Sequence, residues 1–159
     1  MSNSPFLIRE RVRWGDCDPM GIIRYNAYAR FFELGEAEMF RSVGVGYGSF
    51  ASRFGITLPR RVMHMDYLSP PLLDDLLDVE VYISQVGTTS LTLNFDVYSE
   101  QGVLRMAGFL VVVCAADGPD GRGHGEILKM SLPPAFIALL EPYRLSVDAA
   151  RHERAQRIA

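Results

Sequence analysis

Gly15-Asp16-Cys17-Asp18-Pro19-Met20-Gly21-Ile22 stands between a strand-like segment and a long amphipathic helix. Two carboxylates, a thiol, a proline and a glycine share this element boundary, where a side chain is held firmly yet faces a ligand rather than the core. A carboxylate just ahead of a helix also lies close to unpaired backbone N–H groups. Those donors can hold a carbonyl oxygen as it gains charge.

Upstream, Phe6, Ile8, Glu10, Val12 and Trp14 alternate with Leu7, Arg9, Arg11 and Arg13, which predicts a strand with one apolar face. Downstream, from Arg24 to Val43, the period changes. Tyr28, Phe31, Phe32, Leu34, Gly35, Met39 and Val43 fall on a broad apolar arc with Arg30, Glu33 and Glu36 across from it, a helix of about five turns. Gly44, Gly46 and Gly48 end it, and Tyr47 to Phe54 forms a short second helix before Gly55.

The rest is mostly sheet. Ile56 to Leu68, Leu76 to Val86, Ser90 to Ser99 and Val103 to Cys114 are β-rich, and Gly87-Thr88-Thr89 and Glu100-Gln101-Gly102 separate the last three as hairpin turns. Asp117 to Gly125 reads as a flexible loop, and Pro134 to Leu140 as a short closing helix with proline in its first turn. Residues 1–143 thus form one domain. Residues 144–159, with Arg151, His152, Glu153, Arg154 and Arg157 and no sustained apolar stripe, read as a flexible polar tail.

One strand, a long helix and four more strands predict an α+β fold, an antiparallel sheet wrapped around the helix. Exposed strand edges need covering, and a second copy of the chain covers them, so a homodimer is expected.

The chain has 159 residues, 48% of them hydrophobic and 22% charged, enough for one substantial core. Its net charge of -3 gives no general attraction for nucleic acid or an anionic membrane, but leaves room for a local phosphate site. No apolar run approaches the ~20 residues that span a bilayer. The segment MSNSPFLIRERVRW lacks the pattern of a signal peptide, so a cytoplasmic protein is expected. Cys17 and Cys114 are far apart and the 3 histidines are scattered, so neither a disulfide nor a zinc site is expected.

The run Gly15 to Ile22, followed by Arg24-Tyr25-Asn26-Ala27-Tyr28, resembles the 4-hydroxybenzoyl-CoA thioesterase family of hotdog-fold acyl-CoA thioesterases. Asp66-Tyr67-Leu68-Ser69-Pro70 and Leu72-Leu73-Asp74-Asp75 match the strand and turn of the same family, and the resemblance spans roughly Arg9 to Pro134. It implies a sheet wrapped around the helix, active sites at a dimer interface, and dimers or tetramers. It also implies hydrolysis of an acyl-CoA to free acid and CoA, with no metal and no cofactor beyond coenzyme A as part of the substrate. An acyl-carrier protein is an alternative carrier of the acyl group.

Under that resemblance Asp18 is the catalytic carboxylate, and the backbone N–H of Tyr25 polarises the thioester carbonyl. Such a hydrolase needs a carboxylate nucleophile or a carboxylate base, together with oxyanion donors. The bland reading of Asp18 is a turn residue before Pro19. Asp16 reads as a structural partner of loop N–H groups. Cys17 reads as a small buried residue rather than a nucleophile activated by His64.

Glu38 is a reserve catalytic candidate. At 100° per residue it falls within the apolar arc, where a carboxylate is costly unless paired, and its structural alternative is a buried pair with Arg11 or Arg13. Gly21, Ile22, Asn26 and Tyr28 are expected near the acyl group; Asn26 stands where many relatives carry histidine or proline. His64 either lines the pocket from a partner subunit or is an ordinary sheet residue. Thr88, Thr89, Ser90, Arg60 and Arg61 are candidates for the CoA end, although Gly87-Thr88-Thr89 replaces arginines of some relatives. A non-hydrolytic module binding acyl-CoA or acyl-carrier protein is the reading from another functional class.

Overall fold

The computed structural model describes residues 3–116 and 128–158; the stretch expected as a glycine-rich loop, 117–125, lies outside the described residues. In chain order the elements are β1 (Phe6–Arg11), α1 (Tyr28–Ser42), α2 (Phe50–Phe54), β2 (Ile56–Thr57), β3 (Arg60–Tyr67), β4 (Leu76–Val86), β5 (Ser90–Ser99), β6 (Leu104–Val113), β7 (Ala115–Ala116), α3 (Pro134–Leu140) and α4 (Val147–Ile158). Five strands form an antiparallel sheet in the order β1-β4-β5-β6-β3, and β2 pairs with β7. α1 packs its apolar stripe on the sheet: Phe31, Phe32, Met39 and Phe40 meet Val79, Val81, Leu93 and Phe95 in the core. Phe32 stacks on Phe95 with ring centroids 4.2 Å apart. The α+β fold with a helix embraced by the sheet is therefore present.

The helix rotates slightly from its expected setting. Its buried residues are Tyr28, Phe31, Phe32, Gly35, Glu36, Met39 and Phe40, a stripe at three- and four-residue spacing. Glu36, expected across from the arc, is inside it. Glu38, the reserve catalytic candidate expected inside, has a side chain 38% exposed and pairs with Arg41 one turn on, not with Arg11 or Arg13. Counting Leu34 and Val43 into the arc drew its centre off the pairs that pack.

Gly35 allows the closest approach of helix to sheet. A Cβ there would lie 2.6 Å from Val81 Cγ2 and 3.2 Å from Val79 Cγ1. Gly35→Ala is expected to cost about 1–3 kcal/mol, because overpacking outweighs the gain in helix propensity. Chemical denaturation checks this; a more stable variant would show that the sheet yields at no cost.

The segment 144–159 departs most from expectation. Instead of a flexible tail, Val147–Ile158 is a helix laid on the sheet. Ser146 caps it, its Oγ accepting from the Ala149 N–H at 3.1 Å. Its buried positions are Ala150 and Arg154, so it docks through cations rather than an apolar stripe. Arg154 donates to Asp78 at 2.8 Å and to Glu80 at 3.0 Å, and sits over the Tyr98 ring at 4.6 Å. Arg151 grips both oxygens of Asp96 at 3.0 and 3.1 Å, and the Tyr82 hydroxyl donates to the same carboxylate.

β3 is an edge strand. None of its eight residues is buried, and Val62, Met63 and Tyr67 are among the exposed large hydrophobics.

Candidate active site

The Asp18 loop folds back on itself. The Asp18 N–H donates to Ile22 O at 2.9 Å, and the Gly21 N–H donates to Asp18 O at 3.0 Å, with Gly21 at φ +76°, where glycine is favoured. The Asp18 side chain is itself anchored: Oδ1 accepts from the Met20 N–H at 2.8 Å and, more weakly, from the Ile22 N–H at 3.4 Å. Oδ2 has no hydrogen bond among the described residues. Asp18, Trp14, Cys17, Pro19, Gly21 and Leu73 border a cleft of about 430 Å³.

The Leu72–Asp75 turn fastens this loop to the sheet. Leu73 donates to Gly21 O, Ile23 to Pro71 O, and Val12 to Asp75 O, while the Asp75 carboxylate accepts from the Leu72 N–H at 2.9 Å. Asp16 is structural, as expected. Its carboxylate accepts from the Arg13 N–H at 2.8 Å and from Arg30 at 2.9 Å, and Arg30 also holds Glu10 at 2.7 Å. Burial alone would raise Asp16, but hydrogen bonds from Arg30 and Arg13 outweigh it and hold the carboxyl below its ordinary range.

Tyr25 opens a 3-10 turn, Tyr25–Ala27, that leads into α1. As the first residue of that turn its N–H has no acceptor within it, which is the property an oxyanion donor needs. Asn26 shares the turn, and Tyr28 is buried edge-on against Tyr67, centroids 4.8 Å apart. Gly21, Ile22, Asp18, Tyr25, Asn26 and Tyr28 thus gather at one end of the sheet.

Cys17 is not set up as a nucleophile. Burial, together with the charges of Asp16 and Asp18, raises its thiol above the ordinary value. His64 is committed elsewhere: it contacts Asp66 at 3.0 Å and stacks on Phe109.

The candidates for the CoA end lie apart from Asp18 within one chain. Thr88, Thr89 and Ser90 follow the far end of β4, whose 11 residues separate them from the Asp18 end by about 35 Å. They serve as turn residues there: Gly87 N–H donates to Ser90 O, Leu132 to Thr88 O and Cys114 to Thr89 O. Arg60 is likewise engaged, donating to Glu36 and to the Tyr47 hydroxyl, both at 3.0 Å. Arg61 is exposed and makes no ion pair among the described residues. The residue missed in sequence is Glu36; its position four residues from both Phe32 and Phe40 was the available signal.

A family model of the thioesterase-like superfamily matches residues 12–140. This chain belongs to that superfamily. Within it, the chain is 27% identical over 142 residues to the acyl-CoA thioester hydrolase YbgC of Escherichia coli O6:H1, covering 87% of this chain and 97% of the relative. A thioesterase superfamily structure from Jannaschia sp. CCS1 superposes with a TM-score of 0.78 at 25% identity, over 90% of this chain and 95% of that one. A 4-hydroxybenzoyl CoA thioesterase mutant complexed with 4-hydroxybenzoyl CoA superposes with a TM-score of 0.75 at 21% identity, over 86% and 98%. The fold is the hotdog fold of this superfamily.

Proposed function

We propose that this thioesterase hydrolyses an aromatic or short- to medium-chain acyl-CoA to the free acid and CoA, with Asp18 as nucleophile or general base and the Tyr25 N–H as oxyanion donor. The observation that carries this is the fixed Asp18 carboxylate: one oxygen is tied to the Met20 N–H and the group borders the 430 Å³ cleft. Acting as base, Asp18 takes a proton from water while the oxygen of that water adds to the thioester carbon. The C–S bond then breaks, and the departing thiolate takes the proton back. Acting as nucleophile, Asp18 forms a mixed anhydride with loss of the CoA thiolate, and water then cleaves the anhydride. In both routes the Tyr25 N–H holds the negative oxygen, and neither route draws on a metal or redox cofactor.

A homodimer formed through β3 is part of this reading. Antiparallel pairing of two β3 edges sets the Arg60–Arg61 end of one copy beside the Asp66–Tyr67 end of the other. That second end leads through Leu68 and Ser69, which donate to Arg105 O, to the turn that fastens the Asp18 loop. The unpaired Arg61 of a second copy is then suited to the nucleotide phosphates. The dimer is the unit proposed, with a tetramer as its further assembly. The free thiols Cys17 and Cys114 suit a reducing, cytoplasmic compartment.

Thiol release from aryl and aliphatic acyl-CoAs and from acyl-carrier protein, with sedimentation of the enzyme, tests these points. Turnover of acyl-CoA by a dimer is expected. Binding without thiol release across the panel would replace hydrolysis by a carrier or binding role, and a monomer with full activity would remove the shared site.

A further inference from the structure

Asp18 and the Tyr25 N–H sit on the two arms of one small hairpin. The Arg24 N–H donates to Asp16 O at 2.8 Å, Cys17 pairs with Ile23, and the Asp18 N–H donates to Ile22 O at 2.9 Å. Residues 16–18 and 22–24 thus run antiparallel, with Gly21 in the bend. Asp18 ends the first arm and Tyr25 follows the second directly. The place of the carboxylate relative to the oxyanion donor therefore depends on where Asp16 is held.

Asp16 is 6% exposed. One of its carboxylate oxygens accepts from the Arg13 N–H at 2.8 Å and from Arg30 Nη2, the other from Arg30 Nε at 2.9 Å. Arg30 belongs to α1, and its guanidinium also donates to Glu10 at 2.7 Å and to Arg11 O at 3.3 Å. Its Cζ lies 4.5 Å from the centre of the Phe31 ring. A single rigid fork thereby ties α1 and β1 to the base of the hairpin. Neither Asp16 nor Arg30 lines the cleft that Asp18 borders, so any effect on the reaction passes through the hairpin.

We propose that Arg30 and Asp16 are positioning residues for the hydrolysis, and that their ion pair sets the separation of the Asp18 carboxylate and the Tyr25 N–H. The proposal rests on the thioesterase reading above. Attack on a thioester needs the reacting oxygen near the carbonyl carbon and the donor at the developing oxyanion at the same moment. A shift of either by about 1 Å costs up to about 100-fold in rate. Binding of the acyl-CoA does not depend on that separation, so the loss falls on kcat rather than on KM.

Two substitutions loosen the pair while leaving the cleft intact. Arg30→Lys keeps the cation but not the fork, so it cannot hold Asp16 and Glu10 together. In Asp16→Asn the amide oxygen keeps the Arg13 N–H, and the NH₂ group faces the Arg30 Nε–H, donor against donor. With benzoyl-CoA or octanoyl-CoA, whichever the wild type turns over faster, each variant is expected to lower kcat by about 10- to 100-fold and to change KM by less than about 3-fold. The double variant should lose no more than the worse single one, because the pair acts as one unit. Arg154→Ala is the baseline for lost stability alone: at a temperature where all variants are folded, its kcat should match the wild type.

A vibrational measurement gives the second readout. The same acyl-CoA, isotope-labelled at the thioester carbonyl and bound to Asp18→Asn, should show a C=O stretch lowered by the Tyr25 N–H. Adding Arg30→Lys should return the band toward its position in the free ligand while binding persists. A pair that serves stability alone would lower the unfolding midpoints of Arg30→Lys and Asp16→Asn and leave kcat and the carbonyl band unmoved; that result overturns the proposal. So do losses in the single variants that simply add in the double, and both results leave the thioesterase reading standing. Absence of thiol release by the wild type from either acyl-CoA and from the wider panel overturns both.

Discussion

Asp18→Asn is expected to lower kcat by about 10³-fold with little change in KM or stability. The substitution isolates chemistry from architecture. Asparagine keeps the oxygen that accepts from the Met20 N–H, so the loop retains the bond that orients residue 18. What disappears is the charge and basicity of the second oxygen, required by both proposed routes. Stopped-flow thiol release, with ligand binding and thermal unfolding of the variant measured in parallel, checks it. A loss below 5-fold in a folded, binding-competent variant would move the catalytic role to another group. Trapping of an acylated wild-type enzyme in a single turnover would distinguish nucleophile from base.

The second large effect concerns stability. Arg154→Ala is expected to destabilise the protein by about 2–3 kcal/mol, because it takes the buried cation from between Asp78 and Glu80 and leaves each carboxylate with a single, more exposed arginine, Arg9 for Asp78 and Arg157 for Glu80. The Arg154 side chain is 7% exposed, Asp78 is also 7% and Glu80 1%. Arg157 still reaches Glu80 and Arg9 still reaches Asp78 at 2.8 Å, but no cation bridges the two strand carboxylates any longer, and the contact with the Tyr98 ring is lost as well. Burial already raises Glu80 against the pull of Arg157 and Arg154, so removing one guanidinium favours its neutral form further. Urea denaturation at neutral pH measures the cost. A change below 1 kcal/mol would make α4 a surface ornament rather than part of the fold.

These residues also show where reading the sequence succeeds and fails. The bounds of β4, β5 and α3 coincide with the stretches marked by alternation, turn residues and the paired prolines, since each buries an apolar pattern with a sharp end. The Asp18 loop was legible because a turn motif, a helix start and a strand meet there within a few residues. α4 was not, because periodicity looks for an apolar stripe and this helix docks through Arg151, Arg154 and Arg157. Its partners, Asp78, Glu80 and Asp96, are more than 50 residues upstream, so neither half of the charge match has local meaning. Glu36 and Glu38 exchanged places for a related reason: on one helix, a rotation of a few tens of degrees decides which of two carboxylates is buried, and β3 and β4 set that rotation.

The docking of α4 also bears on the order in which the molecule is made. β4 and β5 leave the ribosome carrying three carboxylates on a face that α4 later covers; Arg9 of β1 is already there for Asp78, but Arg151, Arg154 and Arg157 are translated only after the strands of the sheet. Until then the sheet is an acidic, water-dependent surface, which discourages nascent chains from stacking on one another. The helix closes that face only after the strands have been made, so maturation of the sheet is timed by the order of the chain.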